Sequence, residues 1–155
     1  MTRAKKGQYR LRAFKRWKRD GSPRQWLRKF DLFNRSSHTK RVPNCVFRSL
    51  PSVRAAFLSA IWDTDGFIHS EMKYVGIALC NKALVSDIAR LWLLSGVEGR
   101  IVYKPSKCNG KTFDSWLWFC AKSEGVKKCR EILNLRSVKR EKALDKISKD
   151  TGFKS

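Results

Sequence analysis

The 155-residue sequence is 42% hydrophobic and includes six Trp and nine Phe, so it can form a core and is not disordered throughout. Its 35 Lys and Arg against 13 Asp and Glu give a net charge of +22, which predicts a polyanionic partner, with nucleic acid first. Five cysteines without a CxxC pair and two histidines do not form a zinc pattern and favour reduced thiols. No segment has the length of an apolar membrane span, and the basic start lacks the apolar stretch of a signal peptide. We therefore expect an intracellular protein that is neither secreted nor membrane-bound.

Residues 1–36 are predicted to form a basic extension made of a strand, a turn and a helix. The stretch QYRLRAFKRW (8–17) alternates at its start between apolar and basic positions, as in a strand with one basic face. DGSP breaks this strand, and Pro23 suits the first position of a short helix. The polar stretch NRSSHTK (34–40) is typical of a linker, and the second region is placed at residues 37–155.

The segment PSVRAAFLSAIWDTD (51–65) predicts a helix that begins at Pro51 and is apolar on several sides. Ala56, Ala60 and Thr64 form a column of small residues spaced four apart, which allows another backbone to approach closely. An ordinary core helix with alanines by chance is the alternative. Because its apolar residues follow more than one line, we expect this helix to be buried on several sides.

The rest of the chain predicts an α+β fold. Two strand-like runs, 66–70 and 73–80, precede a helix with Asn81 as N-cap and Gly96 after its end. Two further strands are joined around Cys108-Asn109-Gly110, a strong hairpin signal, and two helices follow, the last one basic. From residue 51 the order is α-β-β-α-β-β-α, which predicts a four-stranded antiparallel sheet with helices on one face and the other face open. We assign Leu117 and Phe119 to the core; the facing of Trp116 and Trp118 is ambiguous.

Two acids, Asp63 and Asp65, end the apolar helix and precede Gly66. The helix dipole disfavours an acid there by roughly 0.3–1 kcal/mol. Two acids in an unfavourable place suggest a hard divalent cation, which binds carboxylate and carbonyl oxygens. With a basic chain around them, a metal and a phosphate would suggest phosphodiester chemistry. The alternative is that both acids cap local loops, as Asx turns before glycine do.

The stretch LSAIWDTDG (58–66) resembles the LAGLIDADG motif of homing endonucleases, with Asp63, Asp65 and Gly66 at its DxDG end. SSHTKRVPNCVF, WLWFCAKSEGVKKCREIL and LRSVKREKAL are similar to the blocks that flank the second motif in intein-associated members. In all, residues 35–147 resemble one repeat of that family. The resemblance implies the fold derived above, with the sheet as a DNA-binding saddle.

The resemblance also implies a mechanism in which two motif helices pack side by side and each active site cuts one DNA strand. Asp65, with the carbonyl of Gly66, would bind Mg²⁺, with Mn²⁺ as an alternative, and Asp63 is a less certain partner. Lys40 and Lys139 match the family's basic-pocket lysines, which orient water or stabilise developing charge; Arg136 or Arg140 could replace Lys139. A merely solvated charge is the alternative for either lysine. The helix interface would comprise Ala56, Ser59, Ala60 and Thr64.

The sequence departs from the family pattern in ways that concern its partner. LSA replaces LAG, and the bulky Trp62 precedes Asp63, which makes tight helix pairing less certain. A single motif and no self-splicing ends argue against a complete intein. One acid per chain predicts a homodimer or a separate half-endonuclease as partner. A catalytically silent DNA- or RNA-binding protein, such as a maturase or regulator, is the alternative function, and a ribosomal or architectural protein is the third.

The expected double-stranded DNA would be contacted from the open sheet face, mostly at phosphates. The candidates come from the N-terminal strand, the first hairpin of the sheet, the third strand and the second hairpin: Arg10, Arg12, Lys15, Arg16, His69, Ser70, Lys73, Arg100, Lys104, Lys107, Asn109 and Lys111.

Overall fold

The computed structural model describes residues 2–5, 8–10 and 23–150, which fall into two compact units, Met1–Arg35 and Ser36–Ser155. In the first unit, strands β1 (Thr2–Lys5) and β2 (Gln8–Arg10) pair antiparallel, and helix α1 spans Pro23–Lys29. Residues 11–17 of the predicted strand lie outside the described residues. The ring of Trp26 in α1 meets that of Phe30, just after the helix, edge to face at 4.6 Å. The assignment of residues 1–36 to a separate extension stays a prediction.

The second unit has the predicted order of helices and strands, preceded by a short helix. The helices are α2 (Asn44–Phe47), α3 (Pro51–Thr64), α4 (Lys82–Leu94), α5 (Ser123–Ile132) and α6 (Val138–Lys149). The strands are β3 (Gly66–His69), β4 (Tyr74–Leu79), β5 (Arg100–Tyr103), β6 (Ser106–Cys108), β7 (Lys111–Phe113) and β8 (Trp116–Cys120).

The central sheet has the order β3-β4-β8-β5, and every pair in it is antiparallel. The α+β fold with a four-stranded antiparallel sheet is therefore confirmed. The predicted helix signals also hold, since Asn81 Oδ1 accepts the Leu84 N–H at 3.0 Å and Gly96 has φ of +76°. At the second hairpin, Asn109 and Gly110 both have positive φ, as a type I′ turn requires.

The second hairpin is divided into two parts, which the sequence did not predict. The Lys104 N–H donates to the Ser115 carbonyl at 2.8 Å, and Pro105 follows. Proline has no N–H to continue the ladder, so the pairing with the main sheet stops there. Beyond it, β6 and β7 form a separate two-stranded arm.

The core lies between the sheet and the helices around three indole rings. Trp62, Trp92 and Trp118 are at most 1% exposed. The rings of Trp92 and Trp118 stack at 5.5 Å, and Trp62 meets both at nearly right angles. Each such ring buries about 150–250 Å², so this cluster dominates the packing.

The prediction that Leu117 and Phe119 are core residues holds for the burial of Leu117, which is 6% exposed, but the sheet face against the helices is formed by the other set of positions. Trp118 and Cys120 belong to the core beneath the helices, with Trp116 packed against it, so Leu117 and Phe119 lie on the opposite face. Both sets of alternate positions are apolar, and the larger indole rings take the side with the deeper core.

Four of the five cysteines are described as free thiols, and two of these four meet in the core. Cys45 is exposed, Cys80 is half-buried, and Cys120 and Cys129 are buried. The hydrogen bond with Cys120 and then burial raise the pKa of the Cys129 thiol well above its usual value. Buried thiols of this kind are structural.

Candidate functional site

The two acids at the end of α3 differ in what they bind. The half-buried Asp63 accepts the Arg136 N–H with both carboxylate oxygens at 3.0 Å and the Ser137 N–H at 3.2 Å. Ser137 is the N-cap residue of α6, and its own side chain makes no capping bond. Asp63 therefore satisfies the amides at the start of α6 from a distant part of the chain. Asp63 therefore has a structural role, but through a distant helix start and not through the local loop capping that was the alternative.

Asp65 is exposed and much less engaged. It is the C-cap residue of α3, and its N–H donates to the Ile61 carbonyl at 2.9 Å. Among the described residues its carboxylate accepts one hydrogen bond, from the Thr64 hydroxyl at 3.0 Å. Since a carboxylate offers about four acceptor positions, Asp65 keeps most of its capacity for a ligand.

Arg140 supplies the positive charge that the end of α3 lacks in its own sequence. Its guanidinium donates to the Trp62 carbonyl at 2.6 Å and to the Thr64 carbonyl at 3.4 Å. A cation at a helix C-terminus offsets the dipole that disfavours the two acids. Arg140 thus binds the end of α3 through its carbonyls, and its role as a basic-pocket residue in place of Lys139 stays a prediction.

Gly66 is required by the packing of Trp62. A Cβ on Gly66 would lie 2.5 Å from ring atoms of Trp62 and 2.7 Å from its Cα. Trp62 is turned into the core, away from the small-residue face of α3, so its bulk does not obstruct that face. Because Trp62 points into the core, it does not occupy the face through which helix pairing is predicted.

One face of α3 is left uncovered by the rest of the unit. Ala56, Ala60 and Thr64 are exposed, and Val53 on the same helix is 48% exposed. The expected burial on several sides is wrong for the single chain, because only Leu58, Ser59 and Trp62 of this helix are buried. We refer to Ala56, Ala60 and Thr64 as the small face.

Ser59 differs from the other residues predicted for the helix interface. It is 6% exposed, its hydroxyl donates to the Ala55 carbonyl at 2.8 Å, and it accepts the Asn134 N–H at 3.0 Å. Ser59 thus ties α3 to the segment between α5 and α6. It borders a groove of about 670 Å³ along the helix, which is lined by Ser52, Ala55, Ala56, Ser59, Ala60, Asp63, Ile132, Asn134 and Arg136.

Lys40 lies at the same end of the sheet as Asp65. Its carbonyl accepts from Asn81 Nδ2 at 2.7 Å, and Asn81 follows β4, whose Ile77 pairs with Gly66. The neighbouring Arg41 forms two bonds with the buried Asp87, at 2.6 and 2.8 Å, which raises the pKa of the guanidinium. The backbone of Lys40 is therefore held firmly, while its side chain is exposed.

Lys139 lies at the start of α6, next to Arg140, and its side chain is exposed. Of the two alternatives to Lys139, Arg136 contributes its backbone N–H to Asp63 and Arg140 contributes its side chain to α3. Arg140 thus commits its side chain to α3, whereas the exposed side chains of Lys139 and Arg136 form no hydrogen bond or ion pair with the described residues.

The open sheet face combines basic and aromatic residues. Strand pairing places Arg100 beside Phe119 and Val102 beside Leu117 on this face. Around Tyr74, the rings of Phe67, His69 and Phe119 lie at centroid distances of 5.8, 5.1 and 5.6 Å. The β3–β4 half of the face is therefore more aromatic than the basic saddle that the sequence predicts.

The arm carries Lys107, Asn109 and Lys111, which are exposed, as is Lys104 where it begins. Phe113 on the arm is 49% exposed, a feature that sequence reasoning missed.

In the first hairpin, Ser70 is exposed and His69 Nδ1 accepts the Met72 N–H at 3.3 Å. Lys73 donates to the Asp150 carbonyl at the end of α6 at 3.3 Å. For the N-terminal candidates, Arg10 lies in β2, and Arg12, Lys15 and Arg16 lie outside the described residues.

The residues at the end of α3 fit half of a divalent-cation site. In the parts of the chain that the structure describes, no cluster of three or more metal-ligating side chains is present. Asp65 offers an exposed carboxylate and Gly66 an adjacent backbone carbonyl, which are oxygen ligands of the type that hard cations select. One carboxylate is too few for an all-protein cage, so an ion bound here would need further ligands from water, a phosphate or a partner chain.

Two comparisons with curated proteins cover short segments. The chain is 34% identical over 67 residues to a glutamine–fructose-6-phosphate aminotransferase (isomerizing) of Methanocaldococcus jannaschii, covering 43% of this chain and 6% of that protein. It is 33% identical over 97 residues to the replicative DNA helicase DnaB of Synechocystis sp., covering 59% of this chain and 11% of that protein. The chain therefore spans about a tenth or less of the length of these relatives.

None of the helices among residues 23–150 has the length and apolar character needed to cross a membrane. The model of the LAGLIDADG-like domain matches residues 52–144, which is more than half of the chain and includes the motif helix, the sheet and most of α6. The element order, the DxDG end of α3 and this match agree, and the chain belongs to the LAGLIDADG-like domain family, which comprises homing endonucleases and related proteins, some of them catalytically inactive.

Proposed function

We propose that this protein is a site-specific double-strand DNA endonuclease that uses Mg²⁺, or Mn²⁺ in its place, and provides one half of a two-repeat assembly. The observation that carries the proposal is the exposed, nearly uncommitted carboxylate of Asp65 at the end of an uncovered helix face. Asp63 is accounted for by its bonds to α6, whereas the described contacts give Asp65 no comparable structural use.

The residues divide into those that hold the cation and those that act around it. Asp65 and the Gly66 carbonyl would hold the ion, which polarises a phosphoryl oxygen and activates water when it is bound. Lys139 and Lys40 present exposed ammonium groups near this end of the sheet, where they would stabilise charge that develops on the phosphate. Asp63 is proposed to support the site through α6, in place of its predicted catalytic role.

The DNA would lie against the open sheet face and the arm. Arg100, Lys104, Lys107 and Lys111 are proposed to contact phosphates, and Asn109, His69 and Ser70 to contact phosphates or base edges. Lys73 is also proposed to contact phosphates, and Arg10, Arg12, Lys15 and Arg16 stay DNA contacts proposed from the sequence alone. With a net charge of +22, binding should weaken steeply as the salt concentration rises.

The proposed partner is a second copy of the chain, packed through the small face. Exposed alanines allow two backbones to approach, and a two-fold axis along paired α3 helices would bring both Asp65 residues to one end. Substitution of Ala60 by Arg should shift the mass measured by light scattering to that of a monomer. Ala83→Arg, at an exposed alanine of α4, is the matched control and should leave assembly unchanged. A wild-type monomer at high concentration would favour a separate half-endonuclease instead.

The chain matches short segments of two long proteins whose names denote unrelated activities. These matches support a module carried within host proteins, as a mobile element related to inteins would be. We also propose an intracellular location, because DNA is found inside cells and thiols stay reduced there.

Cleavage of a plasmid library that carries candidate target sites, with and without Mg²⁺, tests the proposal. Asp65→Ala should abolish cutting while DNA affinity stays within about threefold, since one exposed charge is changed in a binding surface dominated by cations. Glu131→Ala, at an exposed acid on α5, is the control and should cut normally. Full cutting by Asp65→Ala would contradict the assignment of this site.

A catalytically silent nucleic-acid-binding protein is the second candidate. It is favoured by the bonds of Asp63, which leave a single free acid at the motif end, and by the aromatic half of the open face. This candidate predicts salt-dependent DNA or RNA binding and no cutting of any target by the wild-type protein with Mg²⁺ or Mn²⁺.

A further inference from the structure

We infer that Arg140 is a positioning residue for Asp65, acting through the last carbonyls of α3. The helices α3 and α6 cap one another: Asp63 of α3 accepts the N–H groups before α6, and Arg140 of α6 donates to the carbonyls that end α3. An acid thus lies at a helix start and a guanidinium at a helix end, the arrangement that each dipole favours. This inference rests on the proposed function of Asp65.

The effect on Asp65 follows from its own weak attachment. Its side chain bonds with one neighbour, Thr64, and its place depends on the last turn of α3, which the Asp65 N–H closes onto Ile61. Helix ends fray unless their carbonyls are satisfied. Arg140 binds the carbonyls of Trp62 and Thr64 within that turn, so it limits where the Asp65 carboxylate can lie.

The same contacts fix the start of α6, where Lys139 is found. Asp63 holds the amides of Arg136 and Ser137, and Lys139 follows in the first turn. The carboxylate of Asp65 and the ammonium of Lys139 therefore extend from two helix ends that are locked together. A substitution at Asp63 or at Arg140 should therefore alter the positions of both the Asp65 carboxylate and the Lys139 ammonium.

The fold should survive the loss of the Asp63 contacts or of the Arg140 contacts, because α6 is also anchored by other residues. Leu144 and Ile147 are fully buried in the core, and Arg130 of α5 forms ion pairs with Asp145 and Glu141. A substitution at Arg140 should thus loosen the end of α3 locally. This separation makes the inference testable in a folded protein.

The test compares Arg140→Lys with Lys142→Ala, an exposed lysine of the same helix, in cleavage and DNA-binding assays. Lysine keeps the charge but cannot bridge two carbonyls with a rigid fork. Because misplacement by about 1 Å can cost roughly 10²-fold in rate, kcat should fall about 10- to 100-fold in Arg140→Lys. KM for DNA and the binding affinity should stay near those of the wild type, and Lys142→Ala should keep the wild-type kcat. Equal kcat values for both variants would overturn the inference.

Amide hydrogen exchange supplies a readout that does not need cleavage. The exchange rate of the Asp65 N–H should rise in Arg140→Lys and stay unchanged in Lys142→Ala. An unchanged exchange rate in both variants would overturn the inference, even if the wild-type protein does not cut DNA. In Asp63→Asn, exchange of the Arg136 and Ser137 amides should rise by about tenfold or more, since each loses a bond to a charged acceptor. If Asp65→Ala still cuts DNA, the proposed function fails, whereas an active Arg140→Lys beside an inactive Asp65→Ala refutes only the positioning role.

Discussion

Replacing each of the two motif acids by alanine should have different consequences for stability, although the acids are only two residues apart. Asp63 accepts bonds from the Arg136 and Ser137 amides and is half-buried, so Asp63→Ala removes the cap of α6. Loss of an acidic N-cap costs about 0.5–2 kcal/mol, and bonds to a charged group contribute about 1.5–3 kcal/mol. Because water can reach part of this site, we expect the free energy of unfolding to fall by about 1–2 kcal/mol.

Asp65→Ala should leave the free energy of unfolding within about 0.5 kcal/mol of the wild type, or raise it slightly. The side chain is exposed, bonds only to the adjacent Thr64 among the described residues, and lies at the negative end of a helix dipole. The two variants thus differ in stability while sharing the same chemical change.

Urea unfolding and thermal unfolding, both followed by tryptophan fluorescence, measure both variants against the wild type. At about 2–4 °C per kcal/mol for a chain of this size, the Tm of Asp63→Ala should fall by about 2–8 °C. Asp63→Asn keeps one acceptor oxygen and should lie between. Equal unfolding midpoints for Asp63→Ala and Asp65→Ala would refute the assignment of Asp63 to the fold.

Two further substitutions test the surroundings of the site. Gly66→Ala forces a methyl group against the ring and Cα of Trp62, so thermal unfolding should show that the free energy of unfolding falls by about 1–3 kcal/mol, the usual cost of overpacking. The control is Gly110→Asn, which lies in open space with a φ that Asn tolerates and should lower the free energy of unfolding by less than about 0.5 kcal/mol. Equal losses in both variants would contradict the packing of Gly66 against Trp62. Arg41→Ala leaves the buried Asp87 without its guanidinium partner, so urea unfolding should show that the free energy of unfolding falls by about 1–3 kcal/mol. The loss should be smaller than for a fully buried pair because Arg41 is largely exposed. An unchanged free energy of unfolding would show that the segment around Arg41 is held by other contacts.

Local signals predicted much of the fold. Pro51 marks the start of α3, Asn81 caps α4, and Asn109-Gly110 forms the hairpin turn. Each of these residues acts on neighbours within a few positions, so the local sequence is enough to predict the helix start, the cap or the turn. The element order follows from them, because each helix and strand is bounded by such a signal.

The remaining features depend on partners distant in the chain. Asp63 bonds to residues 73 and 74 positions away, and nothing near Asp63 in the sequence distinguishes it from Asp65. The facing of β8 was undecided by pattern because Trp118 and Leu117 are both apolar, and only the depth of the core selects the indole ring. The direction of Trp62 likewise follows from its contacts with two other rings.

The most direct test of the account is a structure of the protein with target DNA, with Mn²⁺ located by anomalous diffraction. The account predicts two paired α3 helices and an ion at about 2.0–2.4 Å from a carboxylate oxygen of Asp65, next to a backbone phosphate. It also predicts Asp63 still bonded to the Arg136 and Ser137 amides. A complex in which Asp65 is turned away from the DNA and no ion lies near it would contradict the proposed nuclease.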